Sequence, residues 1–165
     1  MADVGIRRPV EFESVFEKLK ENPPKGFALA EKLTEIVVFA AYVGFHFKRT
    51  GNGPYHRPVE WKYFSADEKN RLFVLAIAHT KRAEGKASPN ILSKDRQQEM
   101  FKLLEQYVHG GLLELREKNV FSTPTEEGYG QGLATFVKRA LEEDEDDTGE
   151  IRVQDLLRDL RSFEQ

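Results

Sequence analysis

Residues 27–45 read FALAEKLTEIVVFAAYVGF, the most apolar stretch of the chain, and how this stretch folds decides the fold class. Leu33, Ile36, Val37, Val38, Phe39, Ala40, Ala41, Tyr42 and Val43 follow in close succession before Gly44. A buried strand over Ile36 to Phe39 would account for the apolar run, but the length of the segment and its alanines favour a central helix, because strands run to roughly 4–8 residues and helices to 10 or more. Gly44 then supplies the conformational freedom with which helices commonly end.

On the amino side, Pro9 suits an early helical position, and Val10, Phe12, Val15, Phe16 and Leu19 recur at near-helical spacing. This predicts a first helix over Pro9 to Glu21, ended by Asn22, Pro23, Pro24, Lys25 and Gly26. On the carboxyl side, Thr50, Gly51, Asn52, Gly53 and Pro54 are turn-formers and Pro58 interrupts again, so His46 to Phe64 reads as an ordered loop with a short hairpin. Ser65 followed by Asp67 and Glu68 marks a helix start, and Leu72, Phe73, Leu75, Ala76, Ile77 and His79 carry that helix to about Lys81. After a linker at Gly85 to Pro89, Ser93 to Glu117 is amphipathic but contains Gly110 and Gly111, which predicts two helices or one kinked helix. A fifth helix starts after Thr123 and Pro124 or at Gly130, and includes Leu133, Phe136, Val137 and Leu141. The expected architecture is all-α: a compact multi-helix domain over residues 1–141, with a small hairpin between its second and third helices. Glu142 to Asp147 is a run of six acids, whose mutual repulsion makes a natural boundary. Residues 142–165 are then an acidic linker followed by a short amphipathic helix.

A chain of 165 residues can bury a sizeable core without staples, and it contains no cysteine. Disulfide frameworks, thiolate zinc sites and cysteine nucleophiles are thereby excluded, and the composition fits a reducing, cytoplasmic setting. No stretch approaches the roughly 20 apolar residues that cross a bilayer, so no membrane role is expected. The 25 basic and 28 acidic residues leave a net charge of −3, which offers no global electrostatic case for nucleic acid.

The local distribution differs. Between the second and third helices stand Lys48, Arg49, Arg57 and Lys62 against Glu60 alone, interleaved with Tyr55 and Trp61. Cations contact phosphates and aromatic rings stack on bases, so this composition suits a nucleic-acid surface, which Arg7 and Arg8 would extend. The competing reading is that Phe45, Trp61 and Phe64 cover the core while the cations are merely left outside. His46 and His56 are ten residues apart with no third ligand at motif spacing, so no metal and no other cofactor is expected. The Gly128 to Gly132 stretch lacks the Lys-Ser or Lys-Thr of a phosphate loop, and no catalytic motif occurs. The protein is therefore expected not to be an enzyme. In the tail, Ile151, Leu156, Leu157 and Leu160 form an apolar face that would dock onto a partner protein or pack on its own domain.

Ile6, Arg7, Arg8 and Pro9, then Val37 to Phe45, Val59, Glu60, Trp61, Phe64, the helix Phe73 to His79 and finally Glu105 to Leu112 together resemble the Dnd system-associated protein 4 family, also described as DNA phosphorothioation-associated. The resemblance covers about residues 5–118, and the loop at Thr50 to His56 and everything past Val120 depart from the pattern. It implies association with bacterial systems that replace a non-bridging phosphate oxygen of DNA by sulfur, or that use the mark to restrict foreign DNA, as in phage defence. It carries over no catalytic residues. The expected function is that of a non-enzymatic accessory protein. It would bind DNA or a modification or restriction partner through Arg7, Arg8, Lys48, Arg49, Tyr55, Arg57, Trp61 and Lys62, with a homo-oligomer compatible. The alternative is a protein adaptor acting through its C-terminal helix without DNA contact.

Overall fold

The computed structural model describes residues 4–21, 33–118, 120–121 and 136. At its centre lies α2 (Leu33–His46), whose Val37, Ala40 and Ala41 are completely buried. The described part of the apolar stretch is helical, as its length and alanines predict, but the helix continues through Gly44 to His46 instead of closing at that glycine. It packs most extensively on α4 (Gln97–Glu117), which supplies Leu104, Val108 and Leu112 to the same core.

Glycine makes this contact close. Gly111 abuts the Ala40 carbonyl and Gly44 abuts the Tyr107 carbonyl, so α2 and α4 run in opposite senses through a backbone-to-backbone contact. Gly110 similarly admits the main chain of Arg49. The pair Gly110–Gly111 therefore does not divide the helix, and α4 is continuous over 21 residues. The helical cost of two glycines, about 1 kcal/mol each, is offset by apposition that no larger residue allows.

Around this pair stand α1 (Glu13–Glu21) and α3 (Ala66–Glu84). A capping box begins α3: Glu68 N–H donates to the Ser65 hydroxyl at 3.1 Å, and Ser65 N–H donates to the Glu68 carboxylate at 2.7 Å. The start expected at Ser65 is thus observed. The helix continues past Lys81 to Glu84, where Gly85 ends it at φ 79°.

The expectation of an all-α fold needs correction at its edges. Gly5–Pro9 forms β1 and Tyr55–Glu60 forms β2, and the two pair antiparallel with Ile6 opposite Val59 and Arg7 opposite Pro58. No hairpin forms within His46 to Phe64. The second half of that stretch pairs instead with the chain's amino-terminal segment. Pro9 ends a strand rather than starting a helix; a short 3-10 turn at Val10–Phe12 intervenes before α1. The physical reason is burial: Ile6 and Val59 face the core together, and the strand pairing that buries them extends as far as Pro9 opposite Tyr55.

A smaller apolar cluster of Val43, Leu115, Val120 and Phe136 lies beside the main core. Phe136 is helical and stacks on Phe47 at 5.5 Å between ring centroids, consistent with a fifth helix at that position. The remainder of that helix, the 141/142 boundary and the acidic extension lie outside the described residues. Among the described residues, no helix is long and apolar enough to cross a membrane.

Candidate functional site

The eight residues expected to touch nucleic acid sit on β1, β2 and the segments that flank them, and most are already engaged by the protein itself. Arg7 projects from β1 toward α4, where Glu105 meets it with both oxygens: Nε donates to Oε1 at 2.8 Å and Nη2 donates to Oε2 at 2.9 Å. The Arg7 backbone N–H also donates to Oε1, at 3.0 Å. Its partner opposite in the sheet is Pro58, and the N–H points away from β2, so Glu105 caps an otherwise open strand edge. The carboxylate is buried while the guanidinium is half exposed. Its hydrogen bond to Glu105 raises the already high pKa of Arg7, against a smaller opposing effect of burial.

Tyr55 belongs to the same assembly. The Arg7 guanidinium lies 4.9 Å from the centre of its ring, and the Tyr55 hydroxyl donates to the Gly51 carbonyl at 3.3 Å. Burial pushes the Tyr55 hydroxyl pKa up. Arg8, one residue along the strand, points to the opposite side and pairs with Glu13 at 2.9 Å over the Phe16 ring.

Arg49 is held by two carboxylates of α4, Glu114 at 3.0 Å and Glu117 at 2.6 Å to each nitrogen, and the hydrogen bond to Glu117 is the leading cause of its raised pKa. Glu114 and Glu117 lie more than two helical turns beyond Glu105. Arg49 and Arg7 are thus anchored at separate points of α4. Lys48 is exposed and ends the turn after α2 in the left-handed region, at φ 53°.

Lys62 pairs with Glu60, whose hydrogen bond raises the lysine pKa, and its ammonium lies 5.0 Å from the Tyr63 ring centre. Trp61 packs among Phe64, Phe73 and Phe101 at centroid separations of 5.2, 5.6 and 5.1 Å, with Lys69 over its ring. Its ring therefore roofs the core, as the competing reading has it. Arg57, exposed on β2, makes no ion pair among the described residues. The partner-docking candidates Ile151, Leu156, Leu157 and Leu160 lie outside the described residues.

Two polar clusters escape a reading by motif. Buried His109 pairs through Nε2 with Glu11, which also accepts from Arg116 at 2.9 Å. The His109 ring is closed over by Gly51 and Gly53, where a Cβ would collide with it. The hydrogen bond with His109 is the first cause of a lowered Glu11 pKa, and the bond from Arg116 adds to it. On the other side of α4, His79 Nδ1 and the Tyr107 hydroxyl are 2.7 Å apart, and Arg82 lies over Phe45 while donating to its carbonyl. Burial lowers the His79 pKa and raises that of Tyr107. The only advance signal for these clusters is the presence of histidine in apolar helices. His46 stacks edge-on against Phe47 and His56 is exposed on β2. Among the described residues no group of three or more metal-ligating side chains converges.

No curated protein and no solved structure matches this chain. The sequence profile of the DNA sulphur modification system-associated protein 4 family matches residues 5–155. The matched span extends well past Val120, through the acidic run at residues 142–147, and is longer than residues 5–118, the span of the expected resemblance. With more than nine-tenths of its length inside the profile, the chain belongs to the DNA sulphur modification system-associated protein 4 family.

Proposed function

We propose that this chain is a non-enzymatic accessory protein that binds another protein of its DNA sulphur modification system, rather than gripping phosphates through residues 46–64. One observation carries the proposal: the chain's own carboxylates occupy the cations best placed for phosphates, in the pairs Arg7–Glu105, Arg8–Glu13, Arg49–Glu117 and Lys62–Glu60. A phosphate reaching Arg49 must displace the carboxylates of Glu114 and Glu117, so it gains only the difference between similar charge-assisted contacts, and one reaching Arg7 meets a guanidinium whose charge Glu105 already balances. The surface is then better suited to a partner that meets paired charges and exposed apolar groups, among them Val4, Val10 and Tyr63.

The test is co-expression of the full chain with the sulphur-modification proteins of the same system. The expected result is a complex that survives nuclease treatment and is weakened by Leu157→Asp. A complex dissolved by nuclease would overturn the reading in favour of DNA contact.

A second reading, DNA contact, is favoured by charge distribution: residues 1–141 hold 22 basic and 18 acidic residues, whereas residues 142–165 hold 3 and 10. Four phosphate contacts would give a slope of log affinity on log salt near −3.6, at about 0.9 per contact, whereas Arg57 acting alone gives about −0.9. A duplex titration that returns the steeper slope, and steepens further when the acids at 142–147 are replaced by their amides, would establish it.

A further inference from the structure

A groove of about 380 Å³ runs between β1 and the amino-terminal half of α4, sharing only Arg7, Glu105 and Phe101 with the clusters described above. Its volume falls within the range of small-molecule sites. Its uncommitted side-chain polar groups are richer in donors than in acceptors. Lys102, Gln97 and Gln98 line it and make no side-chain hydrogen bond or ion pair among the described residues. Arg7 lines it as well. With Nε and one Nη2 hydrogen given to Glu105, its two Nη1 hydrogens and the second on Nη2 remain for a ligand. Glu105, by contrast, already accepts three N–H groups of Arg7, whose guanidinium balances its charge.

A groove so supplied with donors favours an acceptor-rich anion. Because Glu105 holds the Arg7 guanidinium in a fixed plane, an incoming oxyanion meets a preorganised edge, while Lys102 adds a mobile point charge. Phe101 and Val4 form an apolar wall that inorganic phosphate would not use. We propose that this groove binds a nucleotide phosphate, with Arg7 and Lys102 on the phosphate, the base against Phe101 and Val4, and the Gln97 and Gln98 amides reading the base edge. The phosphate belongs either to a free nucleotide or to the 5′ end of a DNA strand, two sources of one chemistry.

Calorimetric titration of the full chain with deoxyadenosine 5′-monophosphate tests the assignment independently of any partner protein. Saturable binding is expected, weakened about tenfold by Lys102→Ala and severalfold by Gln98→Leu, and unchanged by Arg57→Ala on β2. Lys102 and Gln98 are exposed, so these variants should keep the parent unfolding temperature. Arg7→Ala would strand a buried carboxylate and is a poorer probe. A parallel titration with 5′-phosphorylated and 5′-hydroxyl single strands separates the sources: tighter binding of the phosphorylated strand alone assigns the strand end, and equal binding of mononucleotide assigns the free ligand. Inorganic phosphate binding as tightly as the nucleotide would overturn the proposal. So would no saturation up to about 10 mM nucleotide, tenfold beyond a Kd of about 1 mM. Nucleotide binding indifferent to Lys102→Ala would overturn it too.

Discussion

Replacing Gly111 by alanine tests the backbone contact on which the core is built. In an exposed helix interior this change stabilises by up to about 1 kcal/mol, because alanine is the better helix former. Here a Cβ would run into the Ala40 carbonyl oxygen, lie 2.7 Å from its carbon and 2.9 Å from Gly44 N. Each of these is main chain, so no rotamer change relieves the overlap. Carbon atoms pack comfortably at about 3.5–4.0 Å, and α2 and α4 must therefore part by about 1 Å along the contact. Overpacking of this kind costs about 1–3 kcal/mol, and loosening of the Leu104, Val108 and Leu112 layer against Val37 and Ala41 adds to it. Even after the propensity gain, the net loss should be about 2 kcal/mol, or a fall in Tm of about 4–8 °C for a chain of this size.

Urea unfolding followed by circular dichroism measures it, with Gly44→Ala and the double variant alongside. Gly44 and Gly111 share one contact, so once the helices have parted for the first methyl the second should cost less than it does alone. A Gly111→Ala protein as stable as the parent, or strictly additive single and double variants, would refute the close-contact account.

Two further outcomes follow from local geometry. Ser65→Ala removes the hydroxyl that accepts from Glu68 N–H and should lower stability by about 1 kcal/mol in the same assay, with Ser65→Asp restoring most of it. Glu11, whose pKa is held below its ordinary 4.5 by His109 and Arg116, adds stability that is present above that value and drains away as pH falls below it. Since Glu11 is nearly half exposed, solvent screening keeps this contribution below about 1 kcal/mol. Glu11→Gln should therefore be less stable than the parent at neutral pH, with the gap in Tm closing as the pH falls below 4.5; a gap independent of pH would contradict the pairing.

What the sequence makes legible is set by how local each cause is. The apolar run at residues 33–43 and the Ser65 to Glu68 cap lie within a few residues of the structure they produce, and each gives the helix expected of it, although α2 runs through Gly44 to His46 and α3 past Lys81 to Glu84. The strand at Gly5–Pro9 is not legible because its cause is remote: Ile6 is buried by pairing with Val59, across two intervening helices. Read alone, the same residues suit a helix, since Pro9 is as acceptable at a first helical turn as at the end of an edge strand. The glycine pair mislead in a similar way. Gly110–Gly111 reads as a break in isolation, but the backbones of Ala40 and Arg49 rest on it.

The same contrast governs the candidate site. A count along the loop at residues 46–64 finds Glu60 as the lone acid, and in sequence that is true; in space, Glu105 reaches Arg7 from 98 positions away and Glu117 reaches Arg49 from 68. A cation's availability to a foreign anion depends on the nearest carboxylate in three dimensions, which no local window contains. Pairing also changes what a cation is for. Arg7, held in plane by a buried carboxylate, loses value as one of several interchangeable phosphate contacts on a flat surface, where binding grows with the number of cations released from competition. It gains value at a single confined site, where an oriented donor edge need not be ordered again on binding. On the reading proposed here, pairing makes the cations of residues 46–64 and Arg7 a poor phosphate surface, while it suits Arg7 to one groove beside Lys102.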